Sequence, residues 1–219
     1  MFDLVLATRN AHKVSEIRTI LAEGFRCHSL NNFPGAPRTI EDCGTFGGNA
    51  TKKAVELAHW ISASCPSPLA ARPSPFHVLA DDSGLEVDAL HGAPGVHSAR
   101  YAAEEPHKAG ANTDDHANNA RVLRELEGLP EQKRTARFVC VIAAAHDGRT
   151  SATFRGVVEG QILDHLRGNG GFGYDPMFYF PRIQKTFAEL SPEEKAAYSH
   201  RGAAFRSFLE WFDKLNREP

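Results

Sequence analysis

The chain has 219 residues, and its content of 42% hydrophobic and 24% charged residues is that of an ordinary globular protein that buries its own core. Its 25 Lys and Arg residues nearly balance 27 Asp and Glu residues, which leaves a formal net charge of −2. This balance disfavours a dedicated nucleic-acid or membrane-surface partner, although it permits a local basic pocket. The four cysteines show no C-x-x-C spacing, which disfavours a zinc ribbon or a redox pair and predicts reduced, mostly buried thiols.

The first ten residues do not resemble a targeting segment. Asp3 stands where a secretory signal carries positive charge, and the apolar run that follows it is short. No later stretch reaches the roughly 20 apolar residues of a membrane span. We therefore expect a cytoplasmic protein without a membrane partner.

One strand and two helices are predicted early in the chain. The continuous apolar run Leu4–Ala7 is typical of a strand covered on both faces. Apolar residues at helical spacing begin at about Ala11, and the polar turn Thr8-Arg9-Asn10 separates them from the strand. A second helix is predicted from about Asn49 to Ser62. The proline- and serine-rich residues 64–75 then predict an exposed loop.

The middle of the chain places two acids next to a predicted strand. The run Val78–Ala80 is expected to end at Asp81-Asp82, and Leu85–Leu90 then alternates like a separate, half-exposed strand. Two acids at this point predict either a ligand crevice, where cations neutralise them, or a solvated turn in which they bond to backbone N–H groups. Position alone favours neither interpretation.

A hairpin and two helices are predicted in the second half. The helix around Val122–Leu126 precedes two long strands, Ala136–Ala145 and Thr150–Gly160, joined through the hairpin dipeptide Asp147-Gly148. The last helix is marked by the aromatic stripe Phe205–Phe212, which predicts core or dimer-interface packing. Helices that alternate with strands early, and a hairpin later, predict an α/β or α+β fold on a mixed sheet.

A glycine cluster near residue 170 matches the residue spacing of a nucleotide-binding pattern but not its structural context. Gly168, Gly170 and Gly173 satisfy G-x-G-x-x-G, but a Tyr174-Asp175-Pro176 turn and an apolar strand follow instead of a helix. Without a helix N-terminus to face the pyrophosphate, dinucleotide binding is disfavoured. The Walker A, H-E-x-x-H and G-x-S-x-G patterns are absent from the sequence.

Several charged groups could together hold a metal-bound polyphosphate. Glu41-Asp42 is a second acidic pair beside a glycine, and such oxygen ligands suit Mg²⁺, which takes one or two carboxylates plus substrate phosphates. The basic candidates are Lys13, Lys53, Lys195 and His200-Arg201. Each alone is more typical of a solvated surface charge, whereas the combination of cations and paired acids predicts a polyphosphate site.

Six blocks occur along nearly the whole chain in an order that points to one family. They are Leu6–Asn10 with Lys13; Thr45-Phe46 with Asn49-Ala50 and Lys53-Ala54; Ala80–Leu85; Gly92–Gly95 with Ser98–Tyr101; Gly170–Pro176; and Glu194-Lys195 with Ser199–Gly202. The chain thus resembles the inosine triphosphate pyrophosphatase, or Ham1-like, family. The resemblance implies an elongated α/β fold, in one domain over residues 1–219, with a mixed central sheet flanked by helices, a cleft between two lobes, and usually a homodimer.

The resemblance also implies a reaction and a set of site residues. The reaction is the Mg²⁺-dependent hydrolysis of non-standard purine nucleoside triphosphates (ITP, dITP, XTP) to the monophosphate and pyrophosphate, which cleanses the nucleotide pool. The implied roles are Asp82 as proton acceptor and metal ligand; Glu41 or Asp42 as second metal ligand; Ser83 as a substrate contact; Thr8, Arg9, Asn10, Lys13 and Lys53 around the triphosphate; and Phe172, Gly173, Tyr174, Asp175, Lys195, His200 and Arg201 around the nucleotide. Gly48 departs from the family, which usually has an acid before Asn49.

Base selectivity is expected to depend on the purine six-position. A donor such as Arg201 or a backbone N–H favours a keto group over the amino group of adenine, and Phe172 or Tyr174 is placed to stack on the base. One alternative is a related pyrophosphatase that acts on pyrimidine or modified nucleotides. The other is a catalytically silent nucleotide sensor, which the two acidic pairs disfavour because a polyanion binder gains nothing from extra negative charge without a metal.

Overall fold

The computed structural model describes residues 2–21, 24–64, 76–103 and 112–217. Its strands are β1 (Phe2–Leu6), β2 (Phe25–Ser29), β3 (His77–Val87), β4 (Thr135–His146), β5 (Arg149–Ile162), β6 (Phe178–Phe180) and β7 (Lys185–Thr186). Its α-helices are α1 (Ala11–Leu21), α2 (Phe46–Ser64), α3 (Asp115–Glu125), α4 (Pro192–Tyr198) and α5 (His200–Leu215). Within these ranges no helix is both long and apolar enough to cross a membrane. Most of the predicted proline–serine loop, residues 65–75, lies outside the described residues.

The seven strands form one mixed sheet in the order β2-β1-β3-β4-β5-β6-β7. Strand β1 is parallel to β2 and β3, whereas all pairs from β3 to β7 are antiparallel. Pairing of β1 with β3 ends at Leu6 opposite Leu79, followed by one bond from the Ala7 N–H to the Leu79 carbonyl at 2.8 Å. The prediction of a mixed sheet flanked by helices is confirmed. Beyond Leu79 the β1-side edge of β3 has no strand partner at Asp81, and it is covered again from Leu85, whose N–H donates to Ser98 Oγ at 2.9 Å.

Strand β3 is continuous through the two acids, so the prediction of a break at Asp81-Asp82 was wrong. Its pairing with β4 runs without interruption from Val78 opposite Ala145 to Val87 opposite Ala136. Acids, serine and glycine in sequence are typical of a turn, but here cations neutralise the acids and a full backbone ladder holds the strand extended. The separate strand predicted for Leu85–Leu90 is the end of β3, which stops at Val87.

Three apolar clusters cover the sheet. Two lie at one end, where α2 packs on one face and α1 and α5 pack on the other. The third lies at the opposite end of β3, β4 and β5 and includes residues from α3 and β6. The aromatic side chains of α5 (Phe205, Phe208 and Phe212) are buried in the second cluster, as the core prediction required. The long strands thus join two lobes, with the acids of β3 between them.

The β4–β5 hairpin confirms the prediction from Asp147-Gly148. His146 lies opposite Arg149, and the two turn residues have φ values of +48° and +70°. A two-residue turn with positive φ at both positions matches the right-handed twist of the flanking strands.

The cysteine prediction was correct in one respect only. Cys27, Cys43 and Cys140 are free thiols, but Cys140 alone among these three is buried. Cys27 lies on the edge strand β2 and Cys43 in the segment before α2, where neighbouring elements cover them incompletely.

Helix α4 was not predicted from the sequence, although the residues at its start form a recognisable capping motif. Ser191 accepts a hydrogen bond from the Glu194 N–H at 3.1 Å, and Glu194 accepts one from the Ser191 N–H at 2.9 Å. This reciprocal pair, with Pro192 at the first helical position, is a capping box. The helix matters because it carries Lys195.

Gly156 of β5 lets the start of α5 approach the sheet. A Cβ at this position would lie 2.1 Å from the His200 carbonyl oxygen and 2.6 Å from the Ala204 backbone nitrogen. We predict that Gly156→Ala lowers the free energy of unfolding by about 1–3 kcal/mol, the usual cost of overpacking. Urea denaturation checks this, with Gly44→Ala as control because a Cβ there meets nothing within 4 Å. Equal effects of the two substitutions would contradict the prediction.

Candidate functional site

A cavity of about 680 Å³, here called the main cavity, opens beyond the carboxyl end of β1 along the open edge of β3. More Lys and Arg than Asp and Glu side chains line it. The sequence-predicted site residues that line it are Thr8, Arg9, Asn10, Lys13, Glu41, Lys53, Asp82, Ser83, Phe172, Gly173, Tyr174, Asp175, Lys195, His200 and Arg201. Asp42 is the predicted residue that does not.

Asp81 and Asp82 point to opposite faces of the sheet because successive strand side chains alternate. Asp81 shares the face of Leu79 and meets α1 and α5. Its Oδ2 accepts hydrogen bonds from Arg201 Nε at 3.2 Å and Nη2 at 2.8 Å, and its Oδ1 lies 3.1 Å from Lys13 Nζ. Ser83, on the same face, accepts a bond from Arg201 Nη2 at 2.9 Å. The first acid is therefore a structural anchor for two cations.

Asp82 shares the other face and meets α2. Its Oδ1 accepts a hydrogen bond from Lys53 Nζ at 3.0 Å and its Oδ2 accepts one from Asn49 Nδ2 at 3.1 Å. Lys53 also donates to the Asp81 carbonyl oxygen at 2.9 Å. This carbonyl lies on the open edge of β3, where β1 no longer supplies a partner. One lysine thereby fixes both the Asp82 carboxylate and the strand edge that carries it.

The two acids differ in their electrostatics. Burial alone would raise the pKa of Asp81, but the charges of Lys13 and Arg201 outweigh it and hold the pKa far below its ordinary value. For Asp82, burial outweighs the charge of Lys53, and the nearby Glu41 adds to it, so the pKa lies above its ordinary value. The charges of Asp82 and Glu41 outweigh burial at Lys53 and raise the pKa of the lysine. Of the two acids, Asp82 is the one suited to accept a proton.

The turn Thr8-Arg9-Asn10 uses most of its polar groups to start α1. Asn10 Oδ1 accepts hydrogen bonds from the His12 N–H at 2.9 Å and the Lys13 N–H at 3.2 Å. The Thr8 hydroxyl accepts one from the Asn10 N–H at 3.1 Å, and Arg9 donates to the Ala36 carbonyl at 3.2 Å. This cap directs the first turn of α1, and with it Lys13, towards the main cavity.

A second set of contacts surrounds Phe172. Asp175 Oδ2 accepts a hydrogen bond from the Phe172 N–H at 2.8 Å and a further one from Lys195 Nζ. Lys195 also lies 2.5 Å from Glu16, which in turn pairs with Arg201. Phe172 stays half-buried at the cavity wall.

Tyr174 is buried, and its hydroxyl donates to the Ser98 carbonyl at 2.7 Å. Of the two rings predicted to stack on a base, Phe172 is the one left accessible.

His200 is buried beside Arg201 and stacks on Phe138, with ring centroids 4.8 Å apart and ring planes 17° apart. Burial, assisted by the charges of Arg201 and Lys195, lowers the pKa of His200 well below its ordinary value. The imidazole is therefore neutral, and its Nδ1 has no hydrogen-bond partner within the described part of the chain.

The two candidates for a second metal ligand lie in different surroundings. Glu41 lines the main cavity, and its Oε1 lies 3.5 Å from Lys53 Nζ, the same amine that contacts Asp82. The Asp42 side chain is 60% exposed and pairs with Lys52 at 2.6 Å.

Gly48, where the family usually has an acid, is explained by the packing around it. A Cβ at this position would lie 2.7 Å from the Cβ of Cys43, so the segment that leads from Glu41 to α2 occupies the space of a side chain. The Cys43 N–H in turn donates to Asn49 Oδ1 at 3.0 Å.

Two site residues were missed from the sequence. Glu16 was not among the predicted site residues, but it bridges Lys195 and Arg201. Asn49 was assigned no role, but it is fully buried and bonds to Asp82. Glu16 lies three residues after Lys13, on the same helical face, and Asn49 lies four residues before Lys53. Helical spacing from the two lysines was the signal that could have found both.

Comparison with known proteins shows the family of this chain. A family model described as the Ham1 family matches residues 4–211. The chain belongs to the Ham1 family. A Desulforamulus reducens protein named dITP/XTP pyrophosphatase is 47% identical over 97% of this chain and 96% of its own length. A Geobacter sulfurreducens protein of the same name is 48% identical over 96% and 98%.

Solved structures of Ham1 proteins share the fold. The Ham1 protein of Coxiella burnetii superposes with a TM-score of 0.79 at 37% identity, and the alignment covers 98% of this chain and 100% of that one. The Staphylococcus aureus Ham1 protein gives a TM-score of 0.77 at 34% identity, covering 97% and 99%. The Ham1-like fold predicted from the six blocks is confirmed.

The depressed pKa of Asp81 predicts a pH-dependent contribution to stability. We expect Asp81→Asn to cost about 3–5 kcal/mol of unfolding free energy at pH 7, because Lys13 and Arg201 lose a buried partner. Since the folded-state pKa lies below the unfolded value, this contribution is present above about pH 4 and is lost as the pH falls towards the folded-state pKa.

Urea denaturation at pH 7 and pH 3 checks this, with Asp42→Asn as the exposed control. The difference in the free energy of unfolding between wild type and Asp81→Asn should be smaller at pH 3 than at pH 7. A difference of the same size at both values would contradict the assignment.

Proposed function

We propose that this chain is a nucleoside-triphosphate pyrophosphatase that hydrolyses dITP, ITP and XTP to the monophosphate and pyrophosphate. The observation that carries the proposal is the placement of Asp82, a buried carboxylate with a raised pKa, in a cavity whose walls are otherwise rich in cations. The names of the relatives with 47% and 48% identity support the same activity.

The cations of α1 and α2 make one end of the cavity suited to a triphosphate. Lys13 and Lys53 each contact one of the two acids of β3, and both line the main cavity. A polyphosphate between them would gain attraction from both amines in partly desolvated surroundings. Thr8, Arg9 and Asn10 form the neighbouring wall, where the start of α1 favours negative charge.

The other end of the cavity is suited to a purine. Phe172 provides an accessible ring, the Arg201 guanidinium lies 5.9 Å from its centroid, and His200 lines the same cavity. The neutral imidazole of His200 can donate from one ring nitrogen, so a keto group at the six-position is favoured over an amino group. A mismatched buried polar group would stay unpaired, which is the physical basis of the expected selectivity.

Glu41 and Asp82 fit the requirements of Mg²⁺. Both are carboxylates of the main cavity, and the charge of Glu41 contributes to the raised pKa of Asp82, which indicates that the two groups interact. Within the described ranges no group of three or more His, Cys, Asp and Glu residues is arranged to hold a metal. Two carboxylates suffice for Mg²⁺ when substrate phosphates supply further ligands. Bound there, the ion would stabilise negative charge on the departing pyrophosphate.

Asp82 then acts as the proton acceptor. A water oxygen attacks the α-phosphorus, the bond between this phosphorus and the bridging oxygen breaks, and pyrophosphate leaves with the bond electrons. The proton of the water passes to the Asp82 carboxylate, which Asn49 and Lys53 hold in place. Lys13 and Lys53 would stabilise the charge that develops on the leaving group.

The two alternatives differ from this proposal in measurable ways. A silent nucleotide sensor binds dITP without releasing pyrophosphate, and it has no use for a proton acceptor held by Asn49 and Lys53. A pyrophosphatase for pyrimidine nucleotides keeps the chemistry but prefers a smaller base.

A nucleoside triphosphate panel tests the proposed function. We predict that dITP, ITP and XTP are hydrolysed with kcat/KM values about 10²-fold or more above that of ATP, because adenine leaves a polar group unpaired. Pyrophosphate release is measured with Mg²⁺ and then with excess chelator, which should abolish it. Equal rates for dITP and ATP, faster hydrolysis of dCTP or dUTP, or binding without turnover would contradict the proposal.

Three substitutions test the assigned carboxylates. We predict that Asp82→Asn lowers kcat by about 10²- to 10⁴-fold in a folded protein, because the proton acceptor is lost. The activity of the wild type should fall as the pH decreases through the raised pKa of Asp82, since protonation removes the acceptor. Glu41→Gln should raise the Mg²⁺ concentration for half-maximal activity by on the order of tenfold, whereas Asp42→Asn should not.

Circular dichroism and thermal unfolding serve as folding controls. Near-normal turnover by folded Asp82→Asn would remove Asp82 from the mechanism. A larger effect of Asp42→Asn than of Glu41→Gln would move the metal ligand to the neighbouring residue.

A further inference from the structure

Hydrogen bonds hold the backbone on both sides of Phe172 and leave the direction of its ring to side-chain packing. The Gly170 N–H donates to the Ala188 carbonyl at 3.0 Å, and the Gly173 N–H donates to Asp115 Oδ2 at 2.7 Å. The residue lies in the glycine loop, residues 168–173, between Gly171 and Gly173, which have φ values of +71° and +61°. Glycines in this left-handed region lose more conformational freedom on ordering than other residues do. Asp175 fixes the Phe172 backbone N–H, but the direction of the ring depends on what packs against it.

The first turn of α1 supplies that packing. The ring of His12 lies nearly parallel to the ring of Phe172, with centroids 5.4 Å apart and planes 19° apart. Lys195 Nζ lies 4.7 Å from the same Phe172 centroid. The two rings and Lys195 line a second cavity of about 230 Å³ beside the main one. Lys195 is already paired with Asp175 and Glu16, so His12 is the neighbour of Phe172 whose main contact is the ring itself.

His12 is placed by the same cap that places Lys13. Both backbone N–H groups donate to Asn10 Oδ1, and the two side chains then diverge. Lys13 reaches Asp81, at the end of the main cavity proposed for the triphosphate, whereas His12 reaches Phe172, at the end proposed for the base. A single helical turn thus contacts both ends of the proposed nucleotide site.

We propose that His12 is a positioning residue for base recognition, which holds the Phe172 ring by stacking so that the ring is ordered before a purine binds. The inference rests on the proposed function and extends it to a residue outside the main cavity. Its physical basis is preorganisation: a ring fixed in advance loses less conformational entropy when the base arrives. Stacking contributes a modest energy per ring pair, so the effect belongs in substrate binding and not in the chemical step.

Substitution of His12 separates stacking from other roles. His12→Ala should raise the KM for dITP about fivefold and leave kcat unchanged, because one stacked pair is lost while Lys13 and Asp82 stay in place. His12→Phe keeps an aromatic ring and should restore the wild-type KM. The inhibition constant of inorganic triphosphate, which has no base, should be the same in all three proteins. His165→Ala, at an exposed histidine outside the main cavity, is the matched control.

Equilibrium binding of dIMP keeps this test independent of turnover. Calorimetry should show that His12→Ala binds dIMP about fivefold more weakly than the wild type and that His12→Phe binds it equally well. Absence of dITP hydrolysis by the wild type would contradict the proposed function, but the dIMP affinities would still test the role of His12. The inference would be overturned by an unchanged KM and dIMP affinity in folded His12→Ala, by failure of His12→Phe to restore them, or by an equal loss of affinity for inorganic triphosphate.

Discussion

Two adjacent carboxylates in the middle of one strand are the constraint on which this structure depends. Strand alternation sends Asp81 to one face of the sheet and Asp82 to the other, so each buried charge needs its own cation on its own face. Lys13 and Arg201 meet the first acid, and Lys53 meets the second. Helices α1, α5 and α2 are therefore tied to the same few residues of β3, and they bring their other polar side chains to the same place.

The early end of β1 turns this arrangement into a site. Had β1 continued beyond Leu6, it would have covered the edge of β3 at the two acids. Instead the edge is open, Lys53 bonds to the free carbonyl of Asp81, and the main cavity occupies the remaining space. The two acids have different roles because their surroundings differ. Asp81 pairs with two cations, which hold its pKa low, and anchors the fold, whereas Asp82 keeps a raised pKa and faces the cavity.

Local patterns predicted the elements whose causes are local. The Asp147-Gly148 hairpin and the apolar stripe of α5 follow from turn chemistry and helical period. The site residues that the resemblance implied line the main cavity, Asp42 excepted, whereas other lining residues such as Arg38 and Phe138 lie outside the six blocks. The continuity of β3 could not be predicted, because the cations that make it possible come from α1, α2 and α5, distant in sequence. The spacing of Glu16 from Lys13 placed it on the face of the site, but its partners Lys195 and Arg201 are distant in sequence. The homodimer, the cytoplasmic location and the metal remain predictions.

In the proposed function, the nucleotide lies along the main cavity with its phosphates between Lys13 and Lys53 and its base on Phe172. A crystal structure with Mg²⁺ and a dITP analogue whose α–β bridge is an imido group tests this most directly. We expect the α-phosphorus next to Asp82, the ion between Glu41 and Asp82, and the hypoxanthine ring stacked on Phe172 beside His200. Phosphates bound away from both lysines, or a base placed outside the glycine loop, would contradict the account.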